Sequence, residues 1–242
     1  VEEFASRSMV FPLKISRDEE RRIFNRFDAV IAIQSAEANV IREMCPQVRV
    51  LTVGSSGYFP TSAPSYPMHG RLLYVGGYNG ANLDGLRRFL DGAWPEVLRQ
   101  IPSATLHVCG HIGRAFTGQR FDGVKFLGHK QILDEEYAEA AVVINPAWIG
   151  TGLKIKTIEA LNRGKPLVTT PKGVEGLAHD VEQSACIAKD DESFAAAVIR
   201  LMTDEDLRQT LSRSALAFSQ VHLNKSAVYQ ELFQFLERAG ES

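Results

Sequence analysis

The chain has 242 residues, 45% of them hydrophobic and 23% charged, with a formal net charge of −2. That is the make-up of a soluble globular protein of one large or two modest domains, and the near-neutral balance excludes bulk electrostatic binding of nucleic acid. Cys45, Cys109 and Cys186 are odd in number and lack metal-ligand spacing, as expected in a reducing compartment. No apolar run reaches the roughly 20 residues of a membrane-spanning helix. No signal peptide or repeat is evident, and the first residue is Val1 rather than Met, which suits a piece of a longer chain.

Residues 1–27 are basic and amphipathic. Ser16 and Glu19, in SRDE, make a capping box that predicts a helix through Phe27. Lys14, Arg17, Arg21, Arg22 and Arg26 cluster there, with Asp18, Glu19 and Glu20 interspersed. A solvated helix face is expected, with contact to anionic lipid as the alternative. DAVIAI, Asp28 to Ile33, reads as a buried parallel strand, then a helix runs to about Cys45 and stops at Pro46. VRVLTV, Val48 to Val53, is a second strand, and Gly54 to Gly70, rich in Gly, Ser and Pro, is a linker. Beyond it the strands RLLYVGG, ATLHVCG, VKFLGH, AAVVINP, KPLVTTP and ACIA alternate with helices, the first of them from about Asn82 to Gln100. Three more helices close the chain between about Asp191 and Arg238. The alternation predicts an α/β fold, a Rossmann-like doubly wound parallel sheet with right-handed crossovers.

One stretch concentrates the chemistry: GTGLKIKTIEALNRGKP, Gly150 to Pro166. It reads as a loop turning into a helix, with Thr151 as N-cap and Gly164 at the helix end. Lys154 in the first turn opposes the positive end of the helix dipole, a conflict that a bound anion resolves, so the turn is expected to bind phosphate. A helical wheel places Leu153, Ile155, Ile158, Ala160 and Leu161 around a largely buried helix. Lys156 and Arg163 share the polar stripe, and Lys156 is expected to be solvated. Glu159, at the stripe's edge, suits either a surface pair with Arg163 or Lys156 or a carboxylate that accepts hydrogen bonds from ligand hydroxyls.

In doubly wound sheets ligands bind beyond the carboxyl ends of the strands. Here those ends carry Gly76-Gly77, Gly110-His111, Gly128-His129, Asn145-Pro146 and Thr170-Pro171. Glycines there let a backbone come close to a ligand. His111 is a candidate for phosphate or sugar contact, while His69, His107, His179 and His222 form no constellation. HExxH, GxSxG, Walker A and GxGxxG spacings are absent, and no acid ends the second strand, so a nicotinamide enzyme is poorly supported.

GTGLKIKTIEALNRGKPLVTTPKGVEGL, preceded by AVVINPAWI, resembles the donor-binding domain of GT-B glycosyltransferases of the group 1, usually retaining, type. The resemblance covers about Arg71 to Val221. It implies an N-terminal acceptor-domain remnant at 1–53, a linker at 54–70, a nucleotide-sugar domain at 71–223 and a crossover helix at 224–242. It makes Glu159 the ribose-binding second member of a pair of glutamates, whose first position is held here by Thr151. An Arg and Lys pair that many relatives carry after the first strand is missing, since GGYNGANLDGL has no basic residue before Arg87. Lys154 is thereby left to neutralise the diphosphate leaving group, and Lys154 and Glu159 are the expected catalytic pair. Gly76, Gly77, His111, Thr151, Gly152 and Leu153 complete the donor site. The resemblance further implies a UDP- or GDP-linked donor, no metal or other cofactor, and a glycan or lipid-linked acceptor held by residues outside this chain. It also implies polysaccharide biosynthesis in the cytoplasm, with peripheral membrane contact as an option. The rival readings are a nucleotide-sugar 2-epimerase, a non-catalytic nucleotide-binding module, and a purely structural domain in which Lys154 is incidental.

Overall fold

The computed structural model describes residues 15–57 and 70–240. Lys14, His69 and most of the expected linker lie outside them. The first helix, α1 (Arg17–Phe24), opens with the expected box: Glu19 N donates to Ser16 Oγ, and Ser16 N donates to the Glu19 carboxylate at 2.8 Å. Strand β1 (Ala29–Ala32), helix α2 (Ser35–Met44) and strand β2 (Arg49–Thr52) follow, and β1 pairs in parallel with β2. The expectation of a buried strand fails for β1, because Ile31 is 52% exposed and Ile33 is exposed as well. Its core consists of Ala32, Ala38 and Val50 with Ile41, and among the described residues β2 is its one strand neighbour.

The remaining strands form one parallel sheet: β3 (Arg71–Val75), β4 (Thr105–Cys109), β5 (Val124–Gly128), β6 (Val142–Asn145), β7 (Leu167–Thr169) and β8 (Cys186–Ile187). Their spatial order is β5-β4-β3-β6-β7-β8. The chain winds outward from β3 in one direction and then resumes from β6 in the other. That is the doubly wound arrangement, with its strand-order reversal between β3 and β6. The strands read as continuous apolar runs because both faces are covered. One face packs helices α3 (Gly80–Arg88), α4 (Trp94–Gln100) and α7 (Asp191–Thr203) through Phe89, Trp94, Val97 and Phe194. The other packs α5 (Asp134–Glu139), α6 (Ile155–Asn162) and α8 (Glu205–Phe218) through Tyr137, Ile158, Leu161 and Phe218. Between α3 and α4 the helix widens into a π turn, Phe89–Ala93, just before Pro95, whose nitrogen has no hydrogen to donate.

Two short helices end the chain, α9 (Lys225–Val228) and α10 (Gln230–Gly240). Helix α10 returns to the N-terminal strands. Thr52 N donates to the Glu231 carboxylate at 2.7 Å, and the Arg49 guanidinium lies 5.3 Å from the Phe235 ring centre. Asn162 Nδ2, at the end of α6, donates to Ser56 O at 2.9 Å and ties the two parts again. No helix among the described residues is long and apolar enough to cross a membrane.

Helix α3 sits unusually close to the segment that follows β6. A Cβ built on Gly85 would lie 2.1 Å from Pro146 O, a backbone atom. Alanine at position 85 gains roughly 1 kcal/mol of helix propensity but must displace that backbone, an overpacking cost of about 1–3 kcal/mol. Gly85→Ala is therefore expected to lower the urea unfolding midpoint. A midpoint equal to or above that of the native chain would show that this approach does not constrain the fold.

Candidate functional site

At the carboxyl edge between β3 and β6 the strand-order reversal leaves a cavity of about 560 Å³, a size that suits a small-molecule ligand. Gly76 and Gly77 wall it beneath β3, the first turn of α3 closes one side, and the segment Gly150 to Glu159 closes the other. The Asn79 side chain caps α3, accepting from Asn82 N at 2.8 Å, and so fixes Asn82 at the rim. Of the cavity's lining residues, the ionisable ones are Lys154, Lys156 and Glu159, all from the start of α6.

Helix α6 begins later than its sequence suggests. Gly150 and Gly152 both take left-handed backbone angles, with φ of 102° and 74°, a conformation that costs other residues energy. These two reversals hold the chain in a loop until Lys154, which is itself the N-cap; no side chain caps the helix. Thr151 is therefore not the N-cap, and it stands exposed on the cavity wall. The helix ends as expected, with Gly164 left-handed at φ 59°. Its first turn is bolted down from behind: Thr157 Oγ1 accepts from Asn145 Nδ2 and donates to Gly173 O, both at 2.8 Å.

Lys154 folds back over its own loop, donating to Gly152 O at 2.7 Å and reaching Gly150 O and Thr151 O at 3.3 and 3.4 Å. The conflict with the helix dipole is thus relieved locally by three carbonyls. Lys156 is not the solvated charge expected from the wheel. Its Nζ donates to Asn82 Oδ1 at 2.6 Å and to the Tyr74 hydroxyl at 3.1 Å, and it lies 4.5 Å from the Tyr74 ring centre. Although the residue as a whole is partly exposed, its ammonium is enclosed. Burial, with Lys154 adding a like charge, pushes its pKa down to about 7. The wheel also misplaced Ile155, which is 50% exposed on the cavity wall. At the carboxyl edge of a sheet, the polar stripe of a helix's first turn looks into the crevice rather than into bulk water.

Glu159 accepts from the Tyr137 hydroxyl at 3.1 Å. Burial, and then the Glu159 charge, hold that hydroxyl well above the ordinary phenol range, so it stays a donor. Of the surface partners considered for Glu159, Arg163 bonds Asp134 at 3.1 Å and Lys156 bonds Asn82. The carboxylate is thus aimed at the cavity and supported from behind. Leu153 lines the cavity too. Gly152 is buried beneath it, where a Cβ would meet Ile33 at 3.1 Å. His111 does not line the cavity; it stacks on His129 with ring centres 4.7 Å apart, both rings exposed. His107, expected to stand alone, lies 3.2 Å from Glu136, which also pairs with Arg71 and Lys130.

Sequence reasoning missed Lys156, Tyr74, Asn82 and Tyr137. The available signal was Asn79 to Asn82, an Asn-capped helix start directly after the Gly76-Gly77 strand end, facing a second helix start with two lysines.

The profile of the family described as group 1 glycosyl transferases matches residues 69–204. An uncharacterized 44.6 kDa protein in the cps region of Klebsiella pneumoniae is 24% identical over 187 residues, covering 72% of this chain and 48% of its own length. HepE of Anabaena, solved in complex with UDP, superposes with a TM-score of 0.73 at 16% identity, over 95% of this chain and 70% of its own. Sucrose-phosphate synthase from Thermosynechococcus elongatus superposes with a TM-score of 0.68 at 20% identity, over 93% and 61%. These structural likenesses show a shared Rossmann-like GT-B fold. The chain spans about half the length of the Klebsiella relative.

Enclosing Lys156 carries a stability cost whose pH dependence has a definite sign. Its pKa is about 7 in the folded chain against an ordinary lysine value of 10.5 in the unfolded one. Below pH 7 both folded and unfolded chains carry the proton, and the full cost of burying the charge is felt. Between pH 7 and 10.5 the unfolded chain binds more protons, so stability rises with pH. Lys156→Met is expected to raise stability at pH 7 by on the order of 2 kcal/mol, with the gain shrinking toward pH 10.5. Urea unfolding of both chains at several pH values would check this.

Proposed function

The chain belongs to the group 1 glycosyl transferases, and we propose that it forms the donor-binding half of an enzyme that moves a sugar from a nucleotide sugar to an acceptor. The observation that carries this reading is the cavity at the strand-order reversal, where one helix start presents two lysines and a carboxylate to the same space. In this scheme Glu159, held by Tyr137, accepts hydrogen bonds from the ribose hydroxyls. Gly76 and Gly77 let the diphosphate lie close against the main chain. Lys154 leaves its loop carbonyls and pairs with the diphosphate, stabilising negative charge that grows as the glycosidic bond breaks. Gly152 and Leu153 shape the loop that carries it, and Thr151 stands toward the sugar. His111, outside the cavity, is left without a direct role.

Charge on the leaving group is neutralised in this reading by lysines, with no metal or other cofactor. The acceptor, a glycan or lipid-linked glycan, is bound by residues beyond these 242, so the isolated chain is expected to transfer sugar very slowly. The cps-region relative favours polysaccharide assembly as the setting, and a cytoplasmic location follows from where such donors are made. The exposed basic residues of α1, next to exposed Ile23 and Phe27, suit peripheral contact with an anionic membrane. The family match gives no support to the 2-epimerase alternative.

Titration calorimetry with UDP, GDP and ADP tests the reading. One nucleotide is expected to bind in the micromolar range, about −8 kcal/mol. Lys154→Ala and Glu159→Ala should each weaken it by about tenfold or more, the loss of one charge-assisted contact. If no nucleotide binds this chain or the longer protein that contains it, the donor-site reading fails.

A further inference from the structure

Lys156 is enclosed by groups that do not compensate its charge. Asn82 Oδ1 from α3 and the Tyr74 hydroxyl from β3 are neutral acceptors, and the Tyr74 ring lies beside the ammonium. Burial holds the Tyr74 hydroxyl well above the ordinary phenol range, so no phenolate forms to neutralise the lysine. The segment Pro146 to Gly150 carries no titratable side chain. From its own element the charge that acts on Lys156 is Lys154, a like one, while Glu159, which lines the same cavity, accepts from Tyr137. An ammonium has three hydrogens to donate, and two neutral acceptors use two of them. The site therefore holds a lysine that is costly to charge when the cavity is empty and well placed once an anion fills it.

We propose that Lys156 is a second phosphate-binding group of this cavity, and that it takes up a proton from solvent as a nucleoside diphosphate enters, so that amine becomes ammonium on binding. The inference rests on the donor-site reading and adds the partner for the diphosphate's second charge. It also explains how a chain without basic residues between β3 and Arg87 offers two cations to one ligand. Lys154 is one and stands on the loop. Lys156 is the other, and it is charged by the ligand itself. Affinity is then coupled to pH. With a free-state pKa of about 7, Lys156 should take up nearly one proton per nucleotide at pH 8 and progressively less as the pH falls below 7. Binding should weaken about tenfold for each pH unit above 7.5.

The measurement is calorimetry with UDP (GDP and ADP in parallel) at pH 8 in buffers of different ionisation enthalpy. At that pH the terminal phosphate, with a pKa near 6, is already ionised and contributes no proton. The expected result is a buffer-dependent enthalpy corresponding to nearly one proton taken up. Lys156→Met should abolish the uptake and weaken binding at pH 7 by about tenfold or more. Lys156→Arg, permanently charged, should keep binding and lose its pH dependence above pH 7. A 13C-lysine titration of the free protein supplies an independent readout, with the Lys156 ε-carbon moving near pH 7 when free and staying put through pH 9 in the complex. A nucleotide that binds with no uptake at pH 8, or an uptake that survives in Lys156→Met, overturns the proposal while leaving the donor site standing. Absence of binding by all three nucleotides, to this chain and to the longer protein, overturns both.

Discussion

A set of fully buried hydroxyls and one amide at the carboxyl edge of the sheet holds the site in place. Asn145 ends β6, and its side-chain amide donates to Thr157 Oγ1 in the first turns of α6. Thr157 donates in turn to Gly173 O beyond β7, and Thr169 Oγ1 donates to Asn145 O at 2.9 Å. Thr170 bonds Ala147 O and accepts from Gly173 N. Asn145, Thr157, Thr169 and Thr170 have no solvent exposure, so each broken bond would strand a polar group in an apolar interior at a cost of about 1–3 kcal/mol. That penalty fixes the direction of α6 relative to both strands. Lys154, Lys156 and Glu159 inherit their positions from it. The loop ahead of them can be irregular because the helix behind it is anchored.

The sheet was legible because parallel strands covered on both faces must be apolar throughout, and six such runs separated by helical stretches leave few alternatives. The strand-end glycines were legible as a recurrent pattern, and at one of them, Gly110, little but glycine fits because backbones crowd: a Cβ there would lie 2.1 Å from Gly76 O. The strand order could not be read, yet it decides which ends share a crevice. Gly76-Gly77 and Gly150 meet because β3 and β6 are neighbours, and His111 and His129 are carried away because β4 and β5 lie on the far side of β3. Lys156 was misread for a different reason. A helical wheel divides a helix into inside and outside, whereas the start of α6 has a third environment, the crevice, that is polar without being bulk water. Tyr137 and Asn82 reach the site from other elements, and no local pattern announces such contacts.

The N-cap error has a physical moral as well. Thr151 is a good capping residue by type, but capping requires extended backbone immediately before the helix. Two left-handed glycines, at positions 150 and 152, delay that condition to Lys154. The result is a helix start with no side-chain cap, in which Thr157 N instead donates to Lys154 O at 2.9 Å. Side-chain capping would stabilise the helix by about 1 kcal/mol. On the proposed donor-site reading, the uncapped start forgoes that stability and leaves room for a phosphate.

On the proposed reading, the two lysines keep an empty anion site stable. A pair of fixed charges beside a helix N-terminus would repel each other and the dipole whenever the ligand is away. Here each charge is dealt with differently. Lys154, partly exposed, spreads its charge over three carbonyls of its own loop, contacts it can exchange for a phosphate with little change in charge-assisted bonding. Lys156 is held by Asn82 and Tyr74, and its burial lowers the cost by favouring loss of its proton. A rigid amine that gains its charge only with an anion beside it binds without reorganising its side chain. The tyrosine and asparagine that enclose it thereby set both its geometry and its readiness to be charged.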